Sequence, residues 1–287
     1  MLTSLLLYAG VVPLAVSICV AFVMRQLRIA AQVVWPVSIA AGFLGAMLAV
    51  RGQLGVSESL ERVLAPHEAL DWLPHLVLLA VLASVVIYGA SLRGVGLLTL
   101  VVALSVATPV RLLSGNLAQQ WSLAGKLAVI VGSSAALIVV WLPLSAKSMT
   151  QPSILRAPLQ ILVAVGAGIA VTLSGAFIYG QLAAAVGAAT AGTWLAFGLR
   201  TPESNEGVAA AAGVVALALG SLILLGRFYA ELGMASAALL FVALAAVAVP
   251  LPDGAGGAGG KASWQRAVVR AAGCLVPLTI AVALAAS

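Results

Sequence analysis

An all-α, polytopic transmembrane bundle of about ten spans is the fold class this sequence predicts, and three observations predict it. The chain is 63% hydrophobic and only 8% charged over 287 residues, whereas a soluble domain carries about a quarter charged residues. Its apolar runs reach about 20 residues, enough to cross roughly 30 Å of hydrocarbon. Those runs do not alternate with polar residues, which excludes a membrane β-barrel and leaves helices to satisfy the backbone in lipid. Residues 1–287 therefore read as a single integral membrane domain.

The first span covers residues 2–24. No positive region precedes it and no small-residue cleavage site follows it, so a cleaved signal peptide is not expected. Arg25 and Arg28 follow as a stop on the cytoplasmic side. The second span runs from about 30 to 50, with Trp35 and Pro36 near its start, where an aromatic ring sits at headgroup level.

The next stretch is the one long polar passage. Between Arg51 and His75 lie Arg51, Glu58, Glu61, Arg62, Glu68 and Asp71, together with both histidines, His67 and His75, and two prolines, Pro66 and Pro74. Residues 51–72 are expected to form an extracytoplasmic amphipathic loop. Ser57 can cap a short helix in which Glu58 and Arg62 pair across one turn and Leu60, Val63 and Leu64 share the other face. Pro66 ends it. Asp71 is placed to cap the third span, and Pro74 is tolerated in that span's first turn, where no backbone donor is required.

Spans three to five are expected at about 73–91, 94–114 and 124–144. Between Arg156 and Arg200 lie 43 uncharged residues, too many for one crossing, and Tyr179, Gly180 and Gln181 are the expected turn between spans six and seven. The segment 201–207, with Glu203 and Glu206, reads as a loop. Spans eight and nine follow at about 207–226 and 232–250, separated by a link in which Arg227 and Glu231 are spaced to pair. Residues 251–265 read as a flexible Gly-rich cytoplasmic linker, and a tenth span ends the chain.

Ten spans in under 300 residues resemble the layout of the drug/metabolite transporter superfamily in number alone, with no shared motif. They would divide into a 5+5 inverted repeat, a transporter design with its site near the midplane. Orientation follows from the basic residues. Arg25, Arg28, Arg93, Lys147, Arg156, Arg200, Lys261, Arg266 and Arg270 fall in the odd-numbered links, against Arg51, Arg62, Arg111, Lys126 and Arg227 in the even-numbered ones. This excess places the odd links in the cytoplasm and both termini outside, in a multi-pass protein of the cell (inner) membrane. The basic residues are scattered, without the stripe that nucleic acid requires, so the expected partner is the lipid bilayer.

Several patterns carry chemistry on paper only. His67, Asp71 and His75 at i, i+4 and i+8 have the spacing of zinc ligands, but Pro74 argues against one continuous helix, and the plainer expectation is a capping aspartate between two solvated histidines. Gly254, Gly256 and Gly259 match GxGxxG without the strand and helix that a dinucleotide site requires. No cofactor or metal is therefore assigned. Cys19 and Cys274 fall within spans as small buried hydrophobes. No HExxH, GxSxG or acid pair appears, so an enzyme is not expected.

No Asp, Glu, Lys or Arg falls near the centre of a span, although such charges mark proton and ion pathways. The groups left to line a solute path are Ser133, Ser134, Thr172, Ser174, Thr190, Thr193 and Ser221. Ala183, Gly187 and Ala191, with Ala212, Ala216 and Gly220, form small-residue ridges suited to close helix packing. The function expected is a permease-like transporter of a small neutral solute. The alternative is a non-catalytic membrane subunit or scaffold that docks a membrane-protein partner, or a second copy, through residues 54–72, with Leu60, Val63 and Leu64 as the covered face.

Overall fold

The computed structural model describes residues 7–52, 66–89, 94–145, 156–197, 202–247 and 260–286, and every regular element in them is helical. Helix α1 (Leu7–Gln26) opens with a π turn, carries Pro13 in its first α turn, where the missing donor costs nothing, and hands over through Arg28 at φ 57° to α2 (Ala31–Gly52). A 3-10 turn (Ala69–Trp72) leads into α3 (Leu73–Gly89), and α4 (Val95–Gln120) and α5 (Leu123–Ser145) follow. The second half holds α6 (Arg156–Leu173), α7 (Phe177–Phe197), the short α8 (Pro202–Ala210), α9 (Ala212–Tyr229), α10 (Met234–Ala246) and α11 (Gly260–Ala286).

Eight of these helices are long and apolar enough to cross a membrane: α1 to α6, α9, and the 268–286 portion of α11. Helix α7 has the length, at 21 residues, but is rich in Gly, Ala and Thr, and α10 has only 13 residues. Ten helices thus occupy the expected spans, eight of them meeting the length and apolarity of a crossing.

The packing explains the sequence texture. Helices α2, α3, α4, α5, α10, α11, α6 and α7 each pack against the next, and α7 closes the ring on α2, with α1 lying outside on α2 and α7. Helix α9 fills the centre and is buried on all sides from Ala212 to Gly226. Gly213 and Gly220 leave room there for Trp141 and Leu137: a Cβ would come within 2.5 Å of the Trp141 ring and 2.3 Å of Leu137 Cδ2. Outer helices keep large apolar side chains exposed for lipid, among them Phe22, Leu82, Val131 and Val139.

Four local expectations are corrected. Cys19 is exposed on α1 where a buried side chain was expected, while Cys274 is buried. The turn between α6 and α7 falls at Ser174–Ala176, where Gly175 takes φ 89°, and not at Tyr179–Gln181. Gly180 instead lies inside the α6–α7 contact, where a Cβ would stand 2.6 Å from the Gly168 carbonyl oxygen. Residues 202–206 are helical where a loop was expected; Pro202 starts a helix that runs to Ala210, and backbone bonds from Ala211 to Gly207 and from Val215 to Ala211 carry the helical path through a break into α9. Arg227 and Glu231 do not pair, because the helix ends at Tyr229 and Ala230 is extended, so the one-turn spacing is lost.

The links sort into two ends. Residues 67–72, 111–115, 174–179 and 229–231 meet around one cavity. At the other end Arg25 donates to the Ala196 carbonyl, Gln32 donates to Glu206 at 2.7 Å, and Tyr88 donates to the Ser145 carbonyl at 3.0 Å. Helix α7 therefore runs from one end of the bundle to the other.

Candidate functional site: a vestibule at one end of the bundle

The rim is built from the charged residues next to the helix ends. Arg51, in the last turn of α2, reaches Asp71 at 2.6 Å, and Asp71 is fully buried. The other carboxylate oxygen of Asp71 accepts the backbone N–H groups of His67 (3.1 Å) and Glu68 (2.9 Å), while the Glu68 side chain accepts the Asp71 N–H in return, a reciprocal capping box. His75 Nδ1 lies 3.2 Å from the Asp71 carbonyl oxygen. All these bonds fix the 3-10 turn, and with it His67, Glu68 and Trp72, at the mouth of the bundle.

The wall is continued by α4, whose Arg111 guanidinium lies 4.8 Å above the Trp72 ring, a cation–π arrangement. Tyr229, at the end of α9, donates to the Leu112 carbonyl at 2.9 Å and so ties the central helix to α4 at this level. The first turn of α7 supplies Phe177 and Tyr179, and the link after α9 supplies Glu231. Together they enclose an open cavity of about 1200 Å³.

At the opposite end the described residues pack closely. Trp35 is fully buried, its ring 5.6 Å from that of Phe197, and Gly207 lies so close that a Cβ would stand 2.0 Å from Trp35 Cδ1. Arg25 lies 5.0 Å over the Phe197 ring, and the buried Arg156 donates to the Leu144 carbonyl.

Of the hydroxyls expected to line a solute path, Ser174 lies in the vestibule wall and donates to the Val171 carbonyl at 2.8 Å. Thr172, Thr190, Thr193 and Ser134 each donate to the carbonyl four residues earlier, at 2.6–3.0 Å, the local bonding that hydroxyls adopt within helices. Ser133 is buried on α5, and Ser221 is buried on α9 with no hydrogen-bond partner among the described residues. Thr190 lies 13 residues along α7 from Phe177, about 20 Å deeper at 1.5 Å per residue. Leu60, Val63 and Leu64 lie outside the described residues, as does the Gly-rich stretch 251–259.

Asp71 is occupied by Arg51 and by backbone donors, and among the described residues no three His, Cys, Asp or Glu side chains stand together as a metal group. The sequence reading missed Trp72, Arg111, Tyr179, Tyr229 and Glu231 as site residues. A signal existed in the aromatic and charged residues at the ends of the even-numbered links, which only the fold brings together.

Fold and site together define a polytopic, helical integral membrane protein whose apolar helices face lipid and whose bundle opens into a polar and aromatic vestibule at one end. No protein-family model, no curated protein and no solved structure matches the chain.

Proposed function

We propose that this protein is a permease-like transporter of a small solute without net charge, and that the vestibule is its outer mouth. The observation that carries the reading is the pairing of an open cavity of about 1200 Å³ at one end of the bundle with close packing of Trp35 against Phe197 and Gly207 among the described residues at the other. Alternating access requires that asymmetry in each of its end states. The break at Ala211, where α8 passes into the buried α9, supplies a discontinuous central helix of the kind transporters use to change packing.

The finer topology supports the same reading. Ten crossings, with α7 and α10 included, account for the described parts of the even links meeting at the vestibule, and the excess of basic residues in the odd links favours an outward-facing vestibule. Reconstitution tests the proposal: purified protein in liposomes should move at least one member of a panel of net-neutral metabolites, and Ser133→Trp should lower that flux.

A docking subunit remains the second reading, favoured by one observation. The buried Arg51–Asp71 pair ties the last turn of α2 to the 3-10 turn before α3, and these are the elements that flank Leu60, Val63 and Leu64 in the sequence. Copurification of a stoichiometric partner, lost when Leu60, Val63 and Leu64 are all changed to Ser, would support that reading over transport.

A further inference from the structure

We propose that the vestibule binds a zwitterionic solute of the amino-acid type with an apolar or aromatic body, its carboxylate held by Arg111 and its ammonium by Glu231. The inference rests on the permease reading for the fate of the ligand and on the vestibule itself for its binding.

Arg111 is the cation of the cavity wall, and among the described residues it has no carboxylate partner; its stacking partner is Trp72 at 4.8 Å. Stacking uses the flat face of a guanidinium and leaves its edge donors free, and that planar fork matches a carboxylate in a bidentate way. Glu231 is exposed in the same cavity and is equally without an ionic partner among the described residues, since the chain leaves the helix at Ala230 and separates it from Arg227. Glu68 also lines the cavity, but its carboxylate is engaged in the capping box.

Two opposite charges thus line one cavity without pairing to each other. Their placement is fixed by helix packing: Arg111 directly precedes Leu112, Glu231 follows Tyr229 by two residues, and the Tyr229 hydroxyl is bonded to the Leu112 carbonyl. Phe177 and Tyr179 add aromatic surface for the body of a ligand. A solute carrying one charge alone displaces water from both vestibule charges and replaces it at only one, so it binds less well than a solute carrying both. A zwitterion is also the kind of net-neutral solute that suits spans without central charges.

Three isosteric probes test this: phenylalanine, 3-phenylpropionate, which lacks the ammonium group, and 2-phenylethylamine, which lacks the carboxylate. Calorimetry on the full chain in detergent should show phenylalanine binding at least about tenfold more tightly than either analogue, the equivalent of one charge-assisted contact. Arg111→Gln should reduce phenylalanine to the level of 2-phenylethylamine, and Glu231→Gln to the level of 3-phenylpropionate, with the melting midpoint of each variant held at that of the parent. Equal affinity for all three probes, or no binding of any, would overturn the inference. In liposomes, flux of other neutral solutes without preference for phenylalanine over its analogues would overturn it and leave the permease standing. Selective binding of phenylalanine with no flux would uphold the site and sink the permease.

Discussion

Arg51 and Asp71 stand 2.6 Å apart at the junction of α2 and the turn into α3, with the Asp71 side chain sealed from solvent. The pair ties the last turn of α2 to the 3-10 turn and sets the position of the capping box that carries one side of the vestibule.

Removing one partner leaves the other charge buried without compensation. Arg51→Met should therefore lower stability by about 3–5 kcal/mol, while the double change Arg51→Met with Asp71→Asn, which keeps a side-chain oxygen for the His67 and Glu68 N–H groups, should cost less. Thermal unfolding of the purified protein in detergent compares them, and equal losses for the single and double changes would show that the pair is not an isolated couple.

The α6–α7 contact makes a sharp comparison between glycines. A Cβ on Gly180 would stand 2.0 Å from Thr172 Oγ1 and 2.6 Å from the Gly168 carbonyl oxygen, whereas one on Gly132 would meet nothing within 4 Å. Gly180→Ala should cost about 1–3 kcal/mol through overpacking, and Gly132→Ala should be neutral or stabilising by up to about 1 kcal/mol. Unfolding midpoints that fall equally for both would remove the case for close packing at Gly180.

Ser221 buries a hydroxyl for which the described residues offer no partner. Ser221→Ala removes that desolvation cost and should raise stability by about 1 kcal/mol. A lower unfolding midpoint would mean that the hydroxyl is satisfied within the folded protein.

Orientation has its own test. In a background with Cys19 and Cys274 replaced by Ala, a cysteine at Ser114, on the vestibule rim, should react with an impermeant thiol reagent added to intact cells, and one at the exposed Leu27 should not. Labelling of the Leu27 position alone would invert the bundle in the membrane.

The helical class and most of the spans were legible because long apolar runs have no other solution in lipid. The centre of the bundle was not: in a membrane every span is apolar, so hydrophobicity cannot distinguish the buried α9 from the lipid-facing α5, and only the glycines opposite Trp141 and Leu137 carry that information. The small ridge through Gly187 does meet α6, with a Cβ at 3.2 Å from Ala164, but the closer approach, Gly168 to Gly180, joins two helices and is invisible in the spacing of either. The turn was misplaced for a related reason. Glycine marks both bends and close contacts, and Ser174 with Gly175 supplied the bend while Gly180 served the contact. Asp71 was readable as a cap, but its partner Arg51 lies 20 residues away on another helix, a separation that sequence spacing does not connect. The vestibule was hidden because its members come from four separate links.

The most direct test of the central claim is to block the vestibule during transport. Purified protein carrying Ser114→Cys in the cysteine-free background is reconstituted into liposomes, and uptake of labelled phenylalanine is measured before and after alkylation with a bulky impermeant thiol reagent. The account predicts uptake above protein-free liposomes, abolished by the reagent and unaffected by it when Ser114 is left unchanged. Uptake that persists after complete alkylation of Ser114→Cys would contradict the claim that solute passes through this mouth.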